Sequence, residues 1–126
     1  MKDPKFYVCP KCGQVIEIVH DKGRIPRCCG EKVLPLEPNS VEASGEKHMP
    51  LVHVEGDRAE VNVGAVDHPM QEAHWIQWVE LVSREGAQRR YLEPGQDPRV
   101  VFHLGQDKPL AVYAYCNLHG LWKAEL

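Results

Sequence analysis

From residue 46 onward, apolar and polar positions alternate in short runs. Residues 58–64 place Ala59, Val61 and Val63 on one face and Glu60 and Asn62 on the other, the period-two pattern of a half-buried strand. Residues 99–104 and 110–116 are further runs rich in β-branched and aromatic side chains. Turn signals punctuate them at Glu55-Gly56-Asp57, Glu85-Gly86, Pro94-Gly95 and Gly105-Gln106-Asp107. The segment 75–82 fits a helical face or a two-sided strand, because Trp75, Ile76, Trp78, Val79 and Val82 satisfy both periods. Its β-branched and aromatic content predicts a buried strand. No flanking run carries a helix-capping signature. The pattern predicts an all-β protein whose larger part is a sandwich of about seven strands.

The first thirty-six residues read differently. Phe6-Tyr7-Val8 and residues 15–19 predict strands, but so small a core needs a staple. Residues 37–45, with Pro38, Ser40, Ser44 and Gly45, read as a linker. The expected organisation is a small module over 1–36, a linker over 37–45 and a β-sandwich domain over 46–126.

Composition narrows the function. Hydrophobic residues at 43% and charged residues at 26% predict a globular chain. A net charge of -3 without a basic run argues against nucleic acid as partner. No apolar stretch reaches the roughly 20 residues of a membrane span. The start, MKDPKFYVCPKC, lacks the apolar core and cleavage site of a secretory signal, so a cytoplasmic protein is expected. Five cysteines are an odd count, and four of them crowd into the first thirty residues. In a reducing compartment such a cluster reads as metal ligands before disulfides.

Cys9-Pro10-Lys11-Cys12-Gly13 is one metal knuckle and Cys28-Cys29-Gly30 a second. Together they supply four thiolates, a closed tetrahedral shell suited to structure or electron transfer. Zinc and iron both fit this spacing. The adjacent pair Cys28-Cys29 is unusual for zinc, and a vicinal disulfide is the remaining alternative.

The second cluster is built around histidine. Cys116-Asn117-Leu118-His119-Gly120 sets a thiol and an imidazole three residues apart, with a glycine that permits a tight turn. Alternation through Leu110, Val112 and Ala114 points the Cys116 sulfur along the apolar face. His68 precedes Pro69, which favours extended backbone, and His74 opens the 75–82 strand. With His48, four imidazoles and one thiolate from loops at one end of a sandwich can surround one metal and leave a sixth position free. Imidazole suits iron, copper, zinc or nickel, and a thiolate pushes electron density onto the metal, which favours reduction of a small oxygen species. His20, His53 and His103 have no motif around them.

Glu46-Lys47-His48-Met49-Pro50, His68-Pro69-Met70 with His74-Trp75-Ile76, and Cys116-Asn117-Leu118-His119-Gly120 resemble the three signature segments of superoxide reductases. The cysteine knuckles resemble the desulforedoxin-like module of the two-iron members, the desulfoferrodoxins. This resemblance covers nearly the whole chain and implies two iron ions. Cys9, Cys12, Cys28 and Cys29 would bind the first. His48, His68, His74 and His119, with Cys116 as axial thiolate, would bind the catalytic one. Glu46 would occupy the sixth position in the ferric state, and Lys47 would attract the anionic substrate and organise a proton-donating water. The implied reaction is one-electron reduction of superoxide to hydrogen peroxide, with electrons from rubredoxin or a similar donor. The implied fold is immunoglobulin-like and the implied assembly a homodimer. Three other functions fit parts of the residue pattern: a pure electron-transfer protein, a zinc-stapled binding module, and a metal-dependent dioxygenase, for which a carboxylate facial triad is the usual ligand set.

Overall fold

The computed structural model describes residues 3–126, which form two compact units, one ending at Glu37 and the other spanning Pro38–Leu126. In the first, β1 (Lys5–Val8) pairs antiparallel with β2 (Val15–Ile18), and a two-residue hairpin joins β3 (Arg27–Cys28) to β4 (Glu31–Lys32). β5 (Leu34–Pro35) adds to the other edge of β1. Among the described residues, the buried hydrophobic ones of this unit are Phe6, Cys9 and Val33. Three side chains are far too few to offset the ordering entropy of such a segment, so a staple of another kind is required.

The second unit opens with a single helical turn, α1 (Gly45–His48), a short helix in an otherwise β structure, which carries Glu46, Lys47 and His48. Ser44 is its N-cap but gives no side-chain hydrogen bond, so the turn has none of the usual sequence signature. Seven strands follow: β6 (Pro50–Glu55), β7 (Arg58–Val63), β8 (Ile76–Ser83), β9 (Ala87–Tyr91), β10 (Arg99–His103), β11 (Pro109–Cys116) and β12 (Gly120–Glu125). They form two antiparallel sheets, ordered β10-β7-β6 and β12-β11-β8-β9. The expected strand over 75–82 is β8, and the alternation over 58–64 is β7, with Ala59, Val61 and Val63 buried.

The core holds these three with Phe102 from β10, Ile76, Val79 and Leu81 from β8, and Val112, Ala114 and Cys116 from β11. Register explains how Ile76 joins it. β11 and β8 pair Ala114 with Val79 and Tyr115 with Trp78, then slip so that Cys116 faces Ile76. The extra residue, Gln77, is a β-bulge, and it returns Ile76 to the same face as Val79. The end of the β8–β11 pair is thereby reset where the Cys116 thiol enters the core.

Candidate metal centres

In the first unit, Cys9, Cys12, Cys28 and Cys29 bring their sulfurs within 4.8 Å of one another. Cys12 Sγ lies 3.7 Å from Cys28 Sγ, and Cys28 Sγ 4.0 Å from Cys29 Sγ. A tetrahedron with metal–sulfur bonds of about 2.3 Å has edges of about 3.8 Å, so the cluster has a metal's dimensions. A disulfide needs about 2.05 Å, which excludes a vicinal bridge between Cys28 and Cys29.

Local backbone chemistry makes this cluster. The Cys12 N–H points at Cys9 Sγ at 3.5 Å, and with the Lys11 N–H draws the Cys9 thiol well below its ordinary value. Cys28 is pushed up, first by sharing with the Cys9 sulfur and then with that of Cys12. The adjacent cysteines have a structural cause. Cys28 ends β3, and Cys29 with Gly30 forms the hairpin turn at φ 53° and 78°. Two positive φ values identify a type I′ turn, which folds the Cys29 thiol back beside its neighbour.

The second centre gathers His48 from α1, His68 and His74 from the β7–β8 connection, Cys116 from the end of β11, and His119 from the β11–β12 loop. His48, His68, His74 and Cys116 present ligand atoms within 4.8 Å of one another. His119 closes the set, its Nδ1 3.1 Å from His48 Nε2 and 3.9 Å from Cys116 Sγ. The rings follow one another in the order His48, His68, His74, His119. Adjacent centroids lie 4.5, 4.6, 5.1 and 4.9 Å apart at interplanar angles of 74° to 87°. The diagonal from His48 to His74 is longer, 6.3 Å. Four imidazoles therefore stand edge to face around a small square, with a buried sulfur close to all of them.

Hydrogen bonding shows what the square is for. His48 Nδ1–H donates to Ser44 O at 2.6 Å, and His68 Nδ1–H donates to Pro69 O at 2.7 Å. Both Nε2 atoms are then lone-pair acceptors, yet they face each other at 3.1 Å. Two lone pairs at that distance repel unless a cation sits between them. His74 Nε2 is buried without a hydrogen-bond partner, and unsatisfied buried nitrogen is costly. A square with edges of 3.1 Å puts its centre about 2.2 Å from each corner, close to an imidazole–metal bond length. The donor set fits a metal, and carbonyls behind His48 and His68 fix their tautomers as metal sites require.

Electrostatics agree. Burial holds His68 down at about 4, and lowers His48 and His74 as well. The Lys47 charge is a further, smaller cause that lowers His74 and His48. Burial raises the Cys116 thiol, while the backbone N–H groups of His119 and Leu118 pull the other way.

Some contributors were absent from the sequence reading. Trp75, beside His74, donates its Nε1–H to Leu92 O at 3.2 Å. Trp122 from β12 covers the site, stacking on His48 at 4.8 Å and 24° and donating Nε1–H to His119 O at 3.2 Å. Gly64 was also missed. A Cβ there would lie 2.6 Å from Glu46 O, and Val66 N–H donates to that same oxygen at 3.1 Å. The sequence offered no signal for either contact, since both cross between distant segments.

A family profile described as desulfoferrodoxin matches residues 40–125. The desulfoferrodoxin of Syntrophotalea carbinolica is 44% identical over 96% of this chain and 95% of its own length. That of Nitratidesulfovibrio vulgaris is 40% identical over the same shares. Among solved structures, the superoxide reductase from Treponema pallidum superposes with a TM-score of 0.83 at 34% identity, covering 98% of this chain and all of that one. Sequence match, fold match and the two ligand clusters agree, and the chain belongs to the desulfoferrodoxin family.

Proposed function

We infer that the chain is a superoxide reductase, consuming one electron and two protons per superoxide and releasing hydrogen peroxide. The observation that carries this reading is the closed ring of four imidazoles around a buried cysteine sulfur, with Lys47 next to His48 in the chain. Iron in that ring, held by His48, His68, His74, His119 and Cys116, supplies the electron. The relative from Treponema pallidum, aligned over its entire length, is named for the same activity.

Each residue has a physical task. The Cys116 thiolate donates electron density to the iron. The Ser44 and Pro69 carbonyls hold the His48 and His68 rings in the tautomer that binds. Trp122 excludes water from the outer face of His48. Lys47, exposed on α1, attracts the superoxide anion and orders a proton-donating water. Glu46, exposed beside it, would offer a carboxylate to the iron. Cys9, Cys12, Cys28 and Cys29 would hold the first iron. The electron donor is a rubredoxin-like protein, the assembly a homodimer and the location cytoplasmic. Among the described residues no helix is long and apolar enough to cross a membrane.

The test is to mix pre-reduced protein anaerobically with a superoxide pulse and quantify both products. One peroxide per superoxide without dioxygen is expected; dioxygen in equal amount means dismutation and overturns the reading. Lys47→Ala is expected to lower the second-order rate roughly tenfold and flatten its dependence on ionic strength. An unaltered salt slope would remove Lys47 from the steering role. Cys12→Ser is expected to abolish metal binding at the four-cysteine centre but leave single-turnover superoxide consumption within about twofold. Its basis is that all five histidine-centre ligands lie within Pro38–Leu126. A larger loss would make the first iron obligatory for the chemistry.

A further inference from the structure

His74 differs from its neighbours in how it is held. Carbonyl oxygens fix the rings of His48 and His68, whereas among the described residues no carbonyl is hydrogen-bonded to the His74 ring. Its main chain is fastened instead. His74 N–H donates to Gln71 O at 2.9 Å, and Gln71 N–H donates to His74 O at 2.9 Å. The two outer groups of the flanking peptides both meet one side chain. Asn117 Nδ2–H donates to Ala73 O at 3.0 Å, and Trp75 N–H donates to Asn117 Oδ1 at 2.9 Å. Asn117 N–H adds a third bond, to Trp75 O at 3.3 Å.

A carboxamide offers one acceptor and one donor in one plane, so it reads two successive peptide groups as a neighbouring strand would. Here it does so where the ladder between β8 and β11 has run out, just past the bulge at Gln77. Asn117 also sits between Cys116 and His119 in the chain. One residue thus fastens the loop that delivers the sulfur and one imidazole to the loop that delivers another imidazole.

We propose that Asn117 is a positioning residue, whose side-chain amide sets the placement of His74 relative to Cys116 and His119. The proposal rests on the reading of these residues as metal ligands. Its role is served by both halves of the amide: loss of either lets the 73–75 backbone shift, and with it the imidazole nitrogen. Residues of this kind behind metal ligands change affinity by 10- to 100-fold when removed.

Cobalt(II) titration of the metal-free full chain tests it, with competition by a chelator and absorption in the thiolate-to-metal charge-transfer region. The parent is expected to take two cobalt ions, and the four-cysteine centre serves as reference within the same molecule. Asn117→Ala is expected to weaken the histidine centre at least tenfold and shift its charge-transfer band, leaving the reference centre unchanged. Asn117→Asp, which keeps the acceptor for Trp75 N–H but loses the donor to Ala73 O, is expected to fall between parent and alanine variant. A purely structural role would lower thermal stability without moving the band. Equal affinity and an unmoved band in the variants overturn the proposal, and should Asn117→Ala not fold, the aspartate variant decides alone. A parent that binds only one cobalt ion overturns the ligand reading itself, and the proposal with it.

Discussion

Cys116→Ser is expected to abolish superoxide reduction and to remove the charge-transfer absorption of the histidine centre, while the four-cysteine centre keeps its own spectrum. The Cys116 side chain is fully buried and belongs to the sandwich core as much as to the site. A serine hydroxyl there is neither a good electron donor nor easily ionised, since burial already raises the more acidic thiol. Even partners behind a ligand are worth 10–100-fold in metal affinity, so losing the ligand should cost at least about a hundredfold. The metal-free variant should also lose about 1–3 kcal/mol of stability from burying a hydroxyl among apolar neighbours. Metal titration and thermal unfolding of the metal-free protein separate the two effects. Retention of the band would mean that another residue supplies the thiolate.

The second large effect is expected from one methyl group. Gly64→Ala would place a carbon 2.6 Å from Glu46 O, 2.9 Å from Lys47 C and 3.0 Å from Met49 O, all main-chain atoms. Main chain cannot swing aside as a long side chain can, so the segment 46–49 must shift as a body. Overpacking of this kind costs about 1–3 kcal/mol. The functional cost is larger, because α1 carries Glu46, Lys47 and His48 together, and the Val66 N–H bond to Glu46 O ties it to the Gly64 loop. Superoxide consumption should fall at least tenfold, alongside weaker metal binding through His48. An alanine variant with parental melting temperature and rate would show that the contact yields without consequence.

Legibility in the sequence followed the range of the interaction. β7 could be read from its own six residues, because alternation requires only the knowledge that one face is buried. β8 could be read as a strand, but not its bulge, since the extra residue is defined against β11. α1 was hidden for another reason: four residues are too few to show a 3.6-residue period, and its cap uses no side chain. Ligand candidates were legible because cysteine and histidine are rare and their spacing is local within each loop. Their order around the square was not. The tryptophan that covers the site was not legible either. His74 and Trp75 adjoin in sequence, but neighbours in extended chain point to opposite sides, so Trp75 turns to Leu92 while Trp122 reaches His48 from another strand.

The imidazole square spans much of the chain: His48 and His119, whose nitrogens lie 3.1 Å apart, are separated by 71 positions. No local segment of the unfolded polypeptide reproduces that ring, and contacts of such long range form late in folding. Iron at this centre is therefore a ligand of the native state and not of the denatured one. Mass action then makes the sandwich's stability a function of free iron, adding about 2.7 kcal/mol when the ion stands a hundredfold above its dissociation constant and nothing when it is scarce. Metal starvation would lower the protein's steady-state level through faster unfolding and proteolysis, so iron supply would regulate its abundance without any change in expression.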